Sequence, residues 1–273
     1  MFRWVYNKFT RFSVLAGAFF AGNNYFHKGI YQGKFKGFFF PGMNCYACPF
    51  ARFGCPIGTL QYFIGMKTFP SYVLGFIGMI GVPLGRVVCG WVCPFGFFQE
   101  LLYKVKTFKI RVSERHTYTK YIMLVLVAII IPFITGDFWF CKLCPVGGIE
   151  AGIPQLALDS SLRPLIGSFF YIKCAIVILV VSASIFIKRP FCRFVCPLGA
   201  LYGLFNKFTF FRIKVDRNKC TQCQICQNVC PMDVKIFKQP DSLDCIKCGI
   251  CIKACPQGAL SFGYGPSCDF INP

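Results

Sequence analysis

The sequence predicts an all-α membrane bundle of four transmembrane helices, built as two parallel two-helix repeats and followed by a small α+β domain. Three observations predict it. Of the 273 residues, 55% are hydrophobic and only 15% are charged, whereas soluble proteins carry charge on about a quarter of their residues. The apolar residues gather in four blocks rather than spreading along the chain. And one stretch is written twice: "CGWVCPFGFFQELLYKVKTFKIRV" at 89–112 returns as "CRFVCPLGALYGLFNKFTFFRIKV" at 192–215, with ten of 24 positions identical and no gap.

The blocks lie at 12–26, 71–85, 121–135 and 166–187. A helix crosses the hydrocarbon layer with about 20 residues, and about 17 suffice. The last block meets this outright; the others need their aromatic flanks. The first follows a basic start, "FRWVYNKFTR", which a signal peptide would share, but no small-residue cleavage site follows, so an anchor is expected. The net charge of +20 does not point to nucleic acid, because the cations flank apolar spans and fit positive-inside anchoring. Lys104, Lys106, Lys109, Arg111, Arg115 and Lys120 separate the second and third spans, and Lys188, Arg189 and Arg193 follow the fourth. Between spans three and four stand only Lys142 and Arg163, against Asp137, Glu150 and Asp159. Both termini and the 100–120 loop are therefore expected in the cytoplasm, although five Lys/Arg in the 27–70 loop weaken the asymmetry. The expected organisation is a first membrane repeat (1–112), a second (113–215), and a C-terminal domain with its tail (216–273).

The cysteines sort by spacing. "CTQCQICQNVCP" (Cys220, Cys223, Cys226, Cys230) and "CIKCGICIKACP" (Cys245, Cys248, Cys251, Cys255) each match C-x2-C-x2-C-x3-C-P. That run is the bacterial two-cluster ferredoxin signature, in which the fourth cysteine serves the other cluster. One [4Fe–4S] cluster is thus expected on Cys220, Cys223, Cys226 and Cys255, and a second on Cys245, Cys248, Cys251 and Cys230. A zinc module would use two close ligand pairs instead.

Four further cysteines, Cys89, Cys93, Cys192 and Cys196, end membrane blocks on the expected cytoplasmic side. Five more, Cys45, Cys48, Cys55, Cys141 and Cys144, fall on the opposite side; Cys174 and Cys268 are singletons, expected to pack as small hydrophobes. "CYACP" at 45 and "CKLCP" at 141 each precede one C-x3-C-P copy. The chain therefore reads as a tandem repeat of span, outer pair, span, inner pair and basic helix. Parallel repeats are related by an axis along the membrane normal, which brings the two inner pairs together and likewise the two outer pairs. Each face then offers four thiolates, the full set for an iron–sulfur cube. Structural thiols remain an alternative for the inner four. For the outer group, with Cys55 as a possible substitute, disulfides or a transmembrane dithiol relay compete.

These parts together resemble the membrane ferredoxin subunits of periplasmic nitrate reductase systems (NapH-type), the membrane half of NosR-like proteins, and CcoG-like accessory proteins. The resemblance covers nearly the whole chain. It implies electron exchange between membrane quinol and iron–sulfur or haem partners, with the carried positions Cys89, Cys93, Cys192, Cys196 and the eight ferredoxin cysteines. "CYACP" and "CKLCP" depart from the nitrate-linked pattern and put nitrate in doubt. The expected function is an electron-transfer subunit of a respiratory-type complex in a prokaryotic cell membrane, exchanging electrons with an iron–sulfur protein or cytochrome. The alternative is an accessory protein that reduces a metal centre or senses redox state.

Other chemistry lacks its residues. No nucleotide fingerprint is present, and the only histidines, His27 and His116, fall in loops on opposite expected sides, so no bis-histidine haem is expected. Lys173, inside the fourth block, is a candidate quinone-site residue, with snorkelling as its alternative. Arg86 and Glu100 flank the inner cysteines as possible proton relays or plain anchors. Cubes at opposite faces would stand on the order of 30 Å apart, a long unaided hop. The short spans before Cys89 and Cys141 instead predict that the cysteines dip inward, making a wire of four cubes.

Overall fold

A computed structural model describes residues 8–23 and 31–264. His27, Cys268, the end of the first apolar block and the C-terminal tail lie outside the described residues. Helices α1 (Lys8–Gly22), α2 (Pro56–Gly65), α3 (Ser71–Leu84), α4 (Val87–Trp91) and α5 (Pro94–Tyr103) come first. A continuous helix α6 (His116–Thr135) follows, wound as π-helix over Met123–Ile130 just before Pro132, where the proline removes a backbone donor from the ladder. Next come α7 (Trp139–Leu143), a π-containing helical run α8 (145–158), α9 (Ser168–Phe186), α10 (Pro190–Phe194) and α11 (Pro197–Phe205). Strand β1 (Phe211–Val215), the short helices α12 (Ile225–Asn228) and α13 (Ile250–Ala254), and strand β2 (Leu260–Tyr264) complete the order.

The expected four-helix membrane bundle is not what forms. Among the described residues two helices, α6 and α9, are long and apolar enough to cross a membrane. The stretch expected as a second span yields only the 14 residues of α3, about 21 Å at 1.5 Å per residue. It ends where Pro83 blocks the ladder and Gly85 turns the chain at φ +57°. The first block yields the 15-residue α1. The apolar runs were real, but their Gly and Pro residues cut them into short helices, so the two-parallel-pairs architecture falls with the span count.

Those short helices serve the interior. α3 lays Gly81 against the Phe205 ring of α11, where an added Cβ would stand 2.6 Å from the ring. The main apolar core joins Cys55, Ile57, Cys144 and Val146 with Cys89, Cys93, Cys196 and Tyr202 and with Cys226, Cys230, Cys245 and Cys248. β1 and β2 pair antiparallel, Phe211 opposite Tyr264 and Val215 opposite Leu260, closing the eight-cysteine segment. That segment seats on α4, where Trp91 Nε1 donates to Lys247 O (3.3 Å) and Gly90 lies so close to Ile246 O that a Cβ would sit 2.6 Å away.

Candidate metal centres

All eighteen cysteines within the described residues are free thiols, and all but Cys48 and Cys174 fall into four groups. In the C-terminal segment, Cys220, Cys223, Cys226 and Cys255 line one small cavity. Cys251 feels the charges of Cys248, Cys245 and Cys230, the set expected for the second cluster. The loops holding them share one backbone device. Gln222 and Gln224 in the first, and Lys247 and Gly249 in the second, take positive φ of 53°, 59°, 48° and 75°, two and four residues after the leading cysteine. Three of the four are not glycine and carry the strain of the left-handed region. Such turns aim successive amides into one concavity, which favours an anionic group.

The four inner cysteines lie near one another. Cys93 and Cys196 each feel Cys89 and Cys192, and all four are buried. Two buried guanidiniums cross between the halves. Arg86 donates to Cys192 O (3.2 Å), and Arg189 donates to Cys89 O (2.8 Å). Each is anchored by a carboxylate: Arg86 by Asp244 (2.8 Å), Arg189 by Glu100 (2.7 Å). Lys120 joins Asp244 as well. Burial pulls the Glu100 carboxyl up, but Arg189 and Arg11 outweigh it and hold it below the usual range. The two residues that the sequence marked as flanking the inner cysteines are thus fixed in ion pairs.

In the outer group Cys144 feels Cys141, Cys55 and Cys45, and Cys141 feels Cys55 and Cys45. Cys48 lies beside Cys45, near Glu150 and Lys36, and packs with Ala51 and Ala151. Cys55, the possible substitute, therefore lies with Cys45, Cys141 and Cys144. Its place is legible afterwards in a motif that the C-x2-C and C-x3-C spacings obscured. Cys-Pro-x-Gly occurs five times, at Cys55, Cys93, Cys144, Cys196 and Cys255, and each of the first four copies starts a helix with proline in its first turn, the position where a missing N–H costs nothing. The glycine three residues after each of these four cysteines lets the opposite half approach. A Cβ there would meet Cys141 Sγ at 3.5 Å (Gly58), Arg189 Nη1 at 2.9 Å (Gly96), Cys45 Sγ at 3.3 Å (Gly147) and Arg86 Nη2 at 3.1 Å (Gly199).

Glutamines lock the halves together. Gln61 accepts from Phe140 N (3.1 Å) and donates to Cys141 Sγ (3.4 Å). Gln99 repeats this with Phe191 N (3.1 Å) and Cys192 Sγ (3.3 Å). In the outer group Glu150 accepts from Cys45 N (2.8 Å), and burial pushes its carboxyl up to about 7. Lys173 lies against Gly148 and near Cys141, so the structure brings the candidate quinone residue to the outer thiols. Cys174 is half-buried.

The outer and inner groups are neighbours. Cys93 accepts from the Met43 amide, Cys55 accepts from the Asn44 amide, and the next residue is Cys45 itself. A Cβ on Gly42 would stand 3.0 Å from Cys93 Cα. Consecutive Cα atoms are about 3.8 Å apart, so residues 42–45 bridge the two groups directly. The Asn44 side chain is buried with both polar atoms unpartnered.

The donor set fits iron–sulfur clusters. Burial pushes the Cys45, Cys93 and Cys141 thiols up to about 12, so an added positive centre is needed to hold them as thiolates. Among the described residues no three His, Cys, Asp or Glu side chains converge on a single ion.

Comparisons with known proteins agree. A family model described as a 4Fe–4S binding domain matches residues 68–113, 120–153 and 171–218, and a second model with the same description matches 213–235 and 239–261. An uncharacterised protein of Methanocaldococcus jannaschii, MJ0750, is 33% identical over 77% of this chain and 86% of its own. The regulatory protein NosR of Stutzerimonas stutzeri is 31% identical over 53% of this chain and 20% of its own length. The ferredoxin-type protein NapH of Haemophilus influenzae is 26% identical over 62% of this chain and 54% of its own. No solved structure matches.

Proposed function

The chain belongs to the ferredoxin-type 4Fe–4S protein family that includes these NapH and NosR relatives, and on that premise we propose that it is a membrane-embedded electron-transfer subunit of a respiratory-type oxidoreductase complex. As a ferredoxin-type protein with 4Fe–4S domains it is an electron carrier. α6 and α9 anchor it, and the eight-cysteine segment faces the cytoplasm. One observation carries the reading: Cys55, Cys144, Cys89, Cys93, Cys196, Cys226, Cys230, Cys245, Cys248 and Cys251 are buried in one shared apolar core.

The groups would be held by Cys45, Cys55, Cys141 and Cys144; by Cys89, Cys93, Cys192 and Cys196; by Cys245, Cys248, Cys251 and Cys230; and by Cys220, Cys223, Cys226 and Cys255. Bound there, [4Fe–4S] clusters supply one-electron storage at potentials tuned by charge and hydrogen bonding. The chain's own residues hold the halves of each site in register and exclude water. Arg189 stands beside Cys192, Cys93 and Cys248, joining the inner site to the ferredoxin segment electrostatically. The electrons come from quinol or an external redox protein at the outer end and leave to a soluble acceptor docked on the ferredoxin segment, or travel in reverse.

Iron quantitation with EPR tests this. About sixteen irons per chain are expected against about eight for the ferredoxin segment alone, with Cys192→Ser and Cys141→Ser each losing one cluster. Unchanged iron in both variants would remove the membrane centres from the reading.

A further inference from the structure

Each of the four Cys-Pro-x-Gly helices carries a polar side chain six residues after its cysteine: Gln61, Gln99, Glu150 and Tyr202. Three of them reach across to the cysteine motif of the opposite half. Gln61 meets Cys141 and Phe140, Gln99 meets Cys192 and Phe191, and Glu150 meets the Cys45 amide. The fourth, Tyr202, is fully buried, and its hydroxyl has no hydrogen-bond partner in the protein. The charged groups that bear on it are the sulfurs of Cys89 and Cys93. These belong to the opposite half, just as Cys192 does for Gln99. A buried hydroxyl is ordinarily paired. The Tyr202 hydroxyl is thus a free donor near two of the four inner cysteines, Cys89 and Cys93.

We propose that Tyr202 is a positioning residue that donates its hydroxyl hydrogen to the sulfur atoms of the inner centre, as the pseudo-twofold counterpart of Gln99. The inference rests on the iron–sulfur reading of that centre. A donor aimed at a cluster sulfur stabilises the extra electron of the reduced form, so it raises the potential. Beside backbone donors such as the Gly199 amide on Cys196 Sγ (3.3 Å), the inner centre then has two side-chain donors, Gln99 and Tyr202. From the same helix position the outer centre has one, Gln61, because Glu150 accepts instead.

The test is an EPR-monitored redox titration of the purified full-length protein, the inner centre being the signal that Cys192→Ser abolishes. Tyr202→Phe removes only the oxygen; Tyr202→Gln supplies the amide that the other half uses at the matching position. The inner signal is expected to shift to lower potential in Tyr202→Phe, as in Gln99→Leu, and to return toward the wild-type value in Tyr202→Gln. Loss of the inner centre in the Phe variant with retention in the Gln variant would equally support donation. An intact signal at unchanged potential in Tyr202→Phe overturns the inference while leaving the centre in place. So does loss of the centre in both variants, which would make the ring a packing element. Wild-type protein with no signal sensitive to Cys192→Ser would end the iron–sulfur reading and this inference together.

Discussion

At the residue scale the question is which side chains are interchangeable. The eight C-terminal cysteines were legible as two ferredoxin-type motifs, and 4Fe–4S binding models match both stretches. The outer cysteines were less legible, since spacing gives pairs but not which pairs converge. Cys45 and Cys48 look like a unit in the sequence, and a turn closed by Cys48 N on Cys45 O (3.1 Å) keeps them together, but Cys144 and Cys141 feel Cys45 and Cys55 rather than Cys48. Cys55→Ser is therefore expected to lose one cluster of iron and Cys48→Ser to keep it; equal iron in the two variants would refute that grouping. Charges make a second prediction. Arg86 is completely buried between Asp244 and the inner motif. Removing one partner of such a pair costs about 3–5 kcal/mol because the other charge is left alone. Arg86→Met should lower the denaturation midpoint accordingly, and more than the charge-neutral double variant Arg86→Met/Asp244→Asn.

At the element scale, hydrophobicity located the helices and misjudged their purpose. The stretch 71–85 is apolar enough for a span, but Pro83 and Gly85 stop it, and its buried face, Val73, Ile77 and Gly81, packs inside the protein. Short helices beginning at Cys-Pro pairs are what the metal sites need, because each delivers a cysteine at its start and a polar side chain nearly two turns later. Periodicity could not reveal this, since helix length is set by breakers and by the sites, not by the bilayer. α4 shows the consequence most sharply. Gly90 is the point where it touches the backbone of Ile246, and a side chain there has no flexible neighbour to push aside. Gly90→Val is expected to pry the ferredoxin segment from the inner site, costing about 1–3 kcal/mol by overpacking. Limited proteolysis should then cut the 206–216 connection faster, while an unchanged cutting rate would show that the contact is slack.

At the scale of the whole molecule, two helices long and apolar enough to cross a membrane and the grouped thiols share one geometry. α6 begins beside Asp244 of the ferredoxin segment and ends next to α7, which carries Cys141. α9 begins beside the outer thiols at Lys173 and ends before Arg189 and Cys192. Helices of 20 and 19 residues cover about 30 Å each at 1.5 Å per residue. The cysteine groups do not stand that far apart, because residues 42–45 touch Cys93 and Cys55 with adjacent amides and supply Cys45. The sequence pointed to inward-dipping cysteines through the shortness of the stretches before Cys89 and Cys141. The bridging segment itself was invisible there, since "PGMN" at 41–44 carries no periodic or charge signal. An outer and an inner centre joined in this way would couple magnetically when both are reduced. In EPR of the fully reduced protein the inner-centre signal should be broadened by its neighbour, and Cys141→Ser should sharpen it without removing it. A signal of identical width in wild type and variant would mean that the outer site holds no paramagnetic centre within reach, and the electron path would then begin at the inner one.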